Sequence, residues 1–190
     1  INIEPENRNI SLAFQDNSLF PHYTVEKNIL LGAERNKGKK DKKIGLKEIV
    51  DLLDIFHILN KYPHQISAGE AQRAALARSL LTQPDLLLLD EPFGALDEMT
   101  RDALNEELLR LREQNLWTAL FVTHSVSEAV FLSSKIVVLA ANPGRIVDMI
   151  EVALPYPRTP STRQMPEFGE LVRITTAALH SVQKKEFAFA

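Results

Sequence analysis

The residues best suited to chemistry are two adjacent carboxylates, Asp90 and Glu91, at the end of the apolar run Leu86-Leu87-Leu88-Leu89 and just before Pro92. Four consecutive leucines suit a buried strand of a parallel sheet, and loops at the C-terminal ends of such strands are where chemistry sits. Placed there, one carboxylate can hold Mg²⁺, often through water, and its neighbour can polarise an attacking water as a general base. By themselves the residues also fit a strand that ends in a polar turn. Upstream, Ile66-Ser67-Ala68-Gly69-Glu70-Ala71-Gln72-Arg73 places small residues at the start of an Ala- and Leu-rich helix. A helix opening of that kind turns unpaired N–H groups and the positive end of the dipole outward, toward an anion such as phosphate. Alone, it is equally a plain Ser-capped helix. Gln15, at the end of the apolar run Ile10 to Phe14, and His124, after the run Thr118 to Val122, complete the polar positions at strand ends. Each has a bland alternative, a polar residue leaving a strand and a structural histidine.

The elements around these residues follow from periodicity and punctuation. Thr24 can cap a helix through Leu31. Ile49, Leu52, Leu53 and Phe56 recur at helical spacing between Ile44 and about Leu59. Ser67 is the expected N-cap of a helix from about Gly69 to Leu81, which Pro84 stops. Asp97 can cap a helix through about Glu113, with Leu104, Leu108 and Leu111 on one face. Thr118 to Val122 reads as another buried strand, Val126 to Leu132 as a short helix, and Ile136–Leu139 and Arg145–Val152 as strands joined across Asn142-Pro143-Gly144, a sequence suited to a type II turn. Pro155, Pro157, Pro160 and Pro166 mark an extended linker, with a helix from Glu167 to about Val182. Strands alternate with helices, which predicts an α/β fold with a mainly parallel sheet and flanking helices.

Composition narrows the function. The 190 residues carry a formal net charge of −3, so there is no broad basic footprint and no nucleic-acid partner is expected. The absence of cysteine excludes a disulfide framework, a thiolate zinc site and a Cys nucleophile. No apolar stretch approaches the roughly 18 residues of a membrane span. Lys37, Lys39, Lys40, Lys42 and Lys43, with Gly38, read most simply as a solvated loop; contact with a membrane subunit or acidic lipid heads is the other reading.

Taken in order, these segments resemble an ABC-type ATPase over about Ile1 to Leu154. Ser67 to Asp97 is similar to the signature helix, Walker B strand and D-loop, with Phe93-Gly94-Ala95-Leu96-Asp97 as the D-loop. Phe14-Gln15, Leu19-Phe20-Pro21 and Thr24-Val25 resemble the Q-loop region of importer ATPases, and Val122-Thr123-His124-Ser125 the switch-histidine loop. The tail, with Glu128-Ala129-Val130-Phe131-Leu132, Pro143-Gly144-Arg145-Ile146-Val147, Leu154-Pro155 and Pro157-Arg158, resembles the nitrate/sulfonate/taurine importer branch; Leu19-Phe20-Pro21-His22 is closer to sugar- and polyamine-type importers. The resemblance implies a partial ABC ATPase domain over 1–154, with a helical subdomain at about 24–81, followed by a Pro-rich linker and helix over 155–190.

It further implies ATP and Mg²⁺ as cofactors, with Asp90 and Gln15 at the metal, Glu91 as general base and His124 orienting the attacking water. Ser67 and Gly69 would close on the γ-phosphate held by a second subunit, Ala68 and Glu70 would lie with them at the nucleotide, and Asp97, also at the nucleotide, would reach across the dimer. The implied partners are a second ATPase subunit, homodimeric or heterodimeric, a transmembrane permease sensed through Gln15, and indirectly a periplasmic or extracellular solute-binding protein. The implied place is the cytoplasmic face of the cell membrane.

Departures accompany the likeness. No G-x-x-x-x-G-K-[ST] occurs in the 190 residues, and the chain starts at Ile1 without Met. The P-loop is therefore expected upstream, this piece alone is expected to be inactive, and a sheet lacking its neighbours should expose apolar surface. Ala68 stands where Gly is usual, Glu70 where Gln is common, and Ser125 where Asp is usual; the first adds a methyl and the second a negative charge near a nucleotide. Two rivals remain: a non-catalytic or degenerate partner that supplies the signature in trans, and a soluble ABC ATPase of DNA repair or translation, whose coiled coils and zinc hook have no counterpart here.

Overall fold

The computed structural model describes residues 4, 8–14, 18–34, 44–115, 117–141 and 143–187. Gln15, the lysine run at 37–43 and Asn142 lie outside them. The chain forms two compact units that divide between Val122 and Thr123. Thr123 to Leu154 thus clusters with the Pro-rich tail.

The first unit is built on a parallel sheet of β1 (Ile10–Ala13), β2 (Leu86–Asp90) and β3 (Thr118–Val122) in that spatial order. Ile10 is level with Leu86 and Leu86 with Thr118. Because side chains alternate along a strand, Leu87 and Leu89 are fully buried on one face. The other face carries Ile10, Leu12, Leu120 and Val122, which are 39, 38, 58 and 50% exposed. The expected exposure of apolar sheet surface is present, and the expected burial of β3 is not. Strand β3 lies at an edge of the described sheet, and its outer face has no covering layer among the described residues.

Helices α1 (Val25–Glu34), α2 (Leu46–Leu52), α3 (Ala68–Leu81) and α4 (Glu98–Asn115) complete this unit. Thr24 Oγ1 accepts the Lys27 N–H at 3.3 Å, as an N-cap does, and α1 runs on past the expected Leu31. A Cβ on Gly32 would lie 2.2 Å from the Arg78 carbonyl oxygen, so the close approach of α1 to α3 requires glycine. The single helix expected from Ile44 to Leu59 is instead α2 and a short 3₁₀ turn at Phe56–Ile58. Asp54 adopts φ +48°, and the N–H groups of Asp54 and Ile55 reach back to the carbonyls of Asp51 and Val50. That is a Schellman stop with Asp in the left-handed position. It redirects the chain so that Ile55 and Ile58 still reach the core.

The second unit comprises α5 (Val126–Leu132), the antiparallel pair β4 (Lys135–Ala140) and β5 (Arg145–Glu151), and α6 (Pro166–Phe187). The expected hairpin is present, and α6 extends beyond Val182. The Pro-rich segment is anchored, not loose. Arg158 is buried and donates to the carbonyls of Val130 (3.2 Å), Phe131 (2.8 Å), Ser133 (2.8 Å) and Leu154 (3.3 Å). A guanidinium at the C-terminal end of α5 satisfies carbonyls that the helix leaves unpaired.

Candidate functional site

The site begins at the first turn of α3. Ser67 has extended backbone angles, its Oγ accepts the Glu70 N–H at 3.3 Å, and the Glu70 carboxylate in turn accepts the Ser67 N–H at 2.7 Å and hydroxyl at 2.9 Å. This capping box satisfies donors that the helix start would otherwise leave without partners. His57, from the 3₁₀ turn, places Nε2 2.8 Å from the other Glu70 oxygen. The Ser67 N–H, with smaller help from His57 and the Ser67 hydroxyl, lowers the Glu70 carboxyl from 4.5 to about 2 against the opposing pull of burial. The negative charge introduced at position 70 is therefore turned back onto its own cap. Ser67 and Ala68 are exposed at the helix tip.

The second half is the turn from Glu91 to Leu96. Asp90 ends β2 opposite Val122, on the same face as Leu86 and Leu88. Glu91 then takes φ +45°, in the left-handed region, and its N–H donates to the Val122 carbonyl at 3.0 Å. A non-glycine residue held there costs of order 1–3 kcal/mol, and such conformations collect at functional sites. The turn closes through Gly94 N–H to the Glu91 carbonyl (3.1 Å) and Leu96 N–H to that of Phe93 (3.1 Å), over the buried Phe93 ring, whose centroid is 5.9 Å from that of Phe121. Asp97 ends the turn and caps α4, accepting the Thr100 N–H at 3.0 Å, and that bond holds its carboxyl below the usual range.

The two halves meet. A Cβ on Gly69 would stand 3.0 Å from Leu96 Cδ2 and 3.6 Å from the Ala95 carbonyl oxygen. Gln72, buried one turn into α3, donates from Nε2 to the Glu91 carbonyl at 2.8 Å and accepts the Ala95 N–H on Oε1 at 3.2 Å. Sequence reasoning singled out Ser67 to Glu70, Asp90, Glu91 and Asp97, and the first unit gathers all of them around this junction. It passed over Gln72 and His57. The only signal for Gln72 was a polar side chain in an otherwise Ala- and Leu-rich stripe.

Two further predicted residues, Gln15 and His124, are not among the described residues of the first unit. Gln15 is outside the described residues. His124 belongs to the second unit, in the loop before α5. There Thr123 Oγ1 donates to Glu128 Oε2 and accepts the Ser125 N–H at 3.0 Å, while Ser125 Oγ accepts the Glu128 N–H at 3.4 Å as the N-cap of α5. Serine and aspartate cap a helix about equally well, which explains why Ser125 is accommodated where Asp is usual. Among the described residues no three His, Cys, Asp or Glu side chains converge on a metal position. Asp90 by itself suits a hydrated Mg²⁺, which takes one or two carboxylates and fills its shell with water and phosphate oxygens.

Residues 1–94 match the ABC transporter family model. The aliphatic sulfonates import ATP-binding protein SsuB of Bacillus cereus is 46% identical over 160 residues, covering 84% of this chain and 62% of the relative. The bicarbonate transport ATP-binding protein CmpC of Synechococcus elongatus is 46% identical over 151 residues, covering 77% of this chain and 23% of the relative. Among solved structures, the dimeric post-hydrolysis state of the ATP-binding cassette MJ0796 bound to ADP and Pi aligns with a TM-score of 0.66 at 26% identity, over 76% of this chain and 63% of that one. The chain thus spans less than two thirds of the length of these relatives. No helix among the described residues is long and apolar enough to cross a membrane.

Proposed function

The chain belongs to the ABC transporter family, and from that premise we propose that it is part of the ATP-hydrolysing motor subunit of a solute importer. The observation that carries the reading is the junction of two pieces of chemistry. A capped helix tip at Ser67–Gly69, suited to phosphate, packs directly on a strained turn that presents Asp90 and Glu91. We assign Asp90 to Mg²⁺ and, outside the described residues, Gln15 to the same ion. Held by these residues, Mg²⁺ would supply positive charge against the charge that develops on the phosphate. Glu91 accepts the proton of the attacking water. Ala68 and Gly69 offer first-turn N–H groups to the γ-phosphate held by a second subunit, Ser67 offers its hydroxyl by turning it away from Glu70, and Asp97 faces that subunit. Glu70 acts indirectly, by holding Ser67. His124 orients the water, and Gln15 reports the state to a transmembrane permease.

The glycine loop and lysine that cradle the triphosphate are not among these 190 residues. Turnover therefore belongs to a chain that carries them, and the 190 residues alone bind ATP weakly. The relatives named for sulfonates and bicarbonate both handle small anions, which supports a solute of the nitrate/sulfonate/taurine kind, delivered by a binding protein outside the membrane while the motor sits on its cytoplasmic face. Disrupting the gene and measuring uptake of labelled taurine, an alkanesulfonate, nitrate and bicarbonate tests this: loss of uptake of one of them is expected. Unchanged uptake of all four would remove the proposed solute class.

A further inference from the structure

We propose that Gln72 is a positioning residue that fastens the Glu91–Ala95 turn to the first turn of α3, so that the phosphate-facing helix tip and the general base move as one body. The inference rests on the reading of Glu91 given above. It deepens that reading by naming a residue that acts through the backbone of Glu91 and Ala95. Gln72 is 5% exposed, and its amide spans the turn from both ends, donating to the Glu91 carbonyl at 2.8 Å and accepting the Ala95 N–H at 3.2 Å. Among side chains in their ordinary charge states, an amide of this length offers the donor and the acceptor together. The flipped amide would set two acceptors against each other at Glu91 and two donors at Ala95.

The object held is the part of the turn that needs holding. Glu91 sits at φ +45° without the freedom of glycine, and conformations of that kind persist when their surroundings over-determine them. Its carbonyl accepts from both Gln72 and Gly94. One turn earlier on the same helix, the missing side chain of Gly69 leaves room for Leu96. Gln72 thus holds both ends of the turn, Gly69 packs on its Ala95–Leu96 end, and Ser67 caps the same helical turn. Without the amide, the Glu91 carbonyl keeps Gly94 but loses Gln72, the peptide after Glu91 is held less firmly and the carboxylate loses part of its fixed direction, while the groups that bind the triphosphate are untouched.

The test uses the full-length native protein with Gln72→Met and Gln72→Glu. Methionine keeps the volume and removes both hydrogen bonds; glutamate keeps an acceptor for Ala95 and opposes the Glu91 carbonyl. Both variants are expected to retain the KM for ATP within about twofold and to lose about tenfold or more in kcat, a division that a merely structural role would not produce. Amide exchange at Ala95 is expected to accelerate in Gln72→Met and to stay slow in Gln72→Glu. If either variant, folded by its thermal midpoint, hydrolyses ATP as fast as the wild type, the positioning role is overturned. If the wild type itself does not hydrolyse ATP, the functional reading falls and this role with it, so the two failures are distinct.

Discussion

The Glu70 carboxylate accepts both the backbone N–H of Ser67, at 2.7 Å, and its hydroxyl, at 2.9 Å, so the residue that opens α3 is held by the one that completes its first turn. A free energy of folding that depends on pH follows. The folded state lowers the Glu70 carboxyl from 4.5 to about 2, chiefly through the Ser67 N–H. A depressed carboxyl contributes stability that is fully present above its unfolded value and is lost as pH falls through the folded one. The stability difference between wild type and Glu70→Gln should therefore shrink as pH drops from 4.5 toward about 2. Urea midpoints of the two proteins across that window measure it, and a difference that ignores pH would refute the assignment.

Gly32 is the tightest point of the α1–α3 contact. A methyl there would sit 2.2 Å from the Arg78 carbonyl oxygen, which is backbone and cannot rotate away. Gly32→Ala should destabilise the first unit by about 1–3 kcal/mol despite the better helix propensity of alanine. A thermal midpoint equal to or above that of the wild type would show that the helices separate without cost.

Arg158 is the corresponding point of the second unit. Its guanidinium meets four carbonyls in a buried position. Arg158→Leu would leave those carbonyls without their donor, and a loss of roughly 2–4 kcal/mol is expected. Denaturant unfolding followed at α5 and α6 by amide exchange would locate the loss, and unaltered protection of both helices would contradict it.

Much of the frame was legible because single residues announce it. Ser67 ahead of an Ala- and Leu-rich run, Asp97 ahead of the stripe at Leu104, Leu108 and Leu111, and the unbroken leucines at 86–89 are local signals, and each element starts or lies where they indicate. What escaped was set by partners distant in the chain or by the backbone. Asp54 stops a helix whose apolar spacing runs on to Phe56, yet Phe56 is 75% exposed, so that part of the pattern did not report burial. Leu120 and Val122 look like core residues in a strand, but their exposure depends on what lies over the sheet and not on the strand itself. Gln72 finds its partners 19 and 23 residues further on, and Arg158 finds its partners up to 28 residues back. Neither pairing leaves a mark in the local pattern.

Glu91, held at φ +45° in the turn after β2, is the proposed base of an ATP-hydrolysing site. The most direct test of that role is ATP turnover by the full-length native protein and by its Glu91→Gln variant, with ATP binding measured on both. The account predicts that the wild type hydrolyses ATP and that the variant binds ATP as well while its turnover falls by about 100-fold or more, as loss of a general base implies. A variant that hydrolyses ATP at the rate of the wild type would contradict the account.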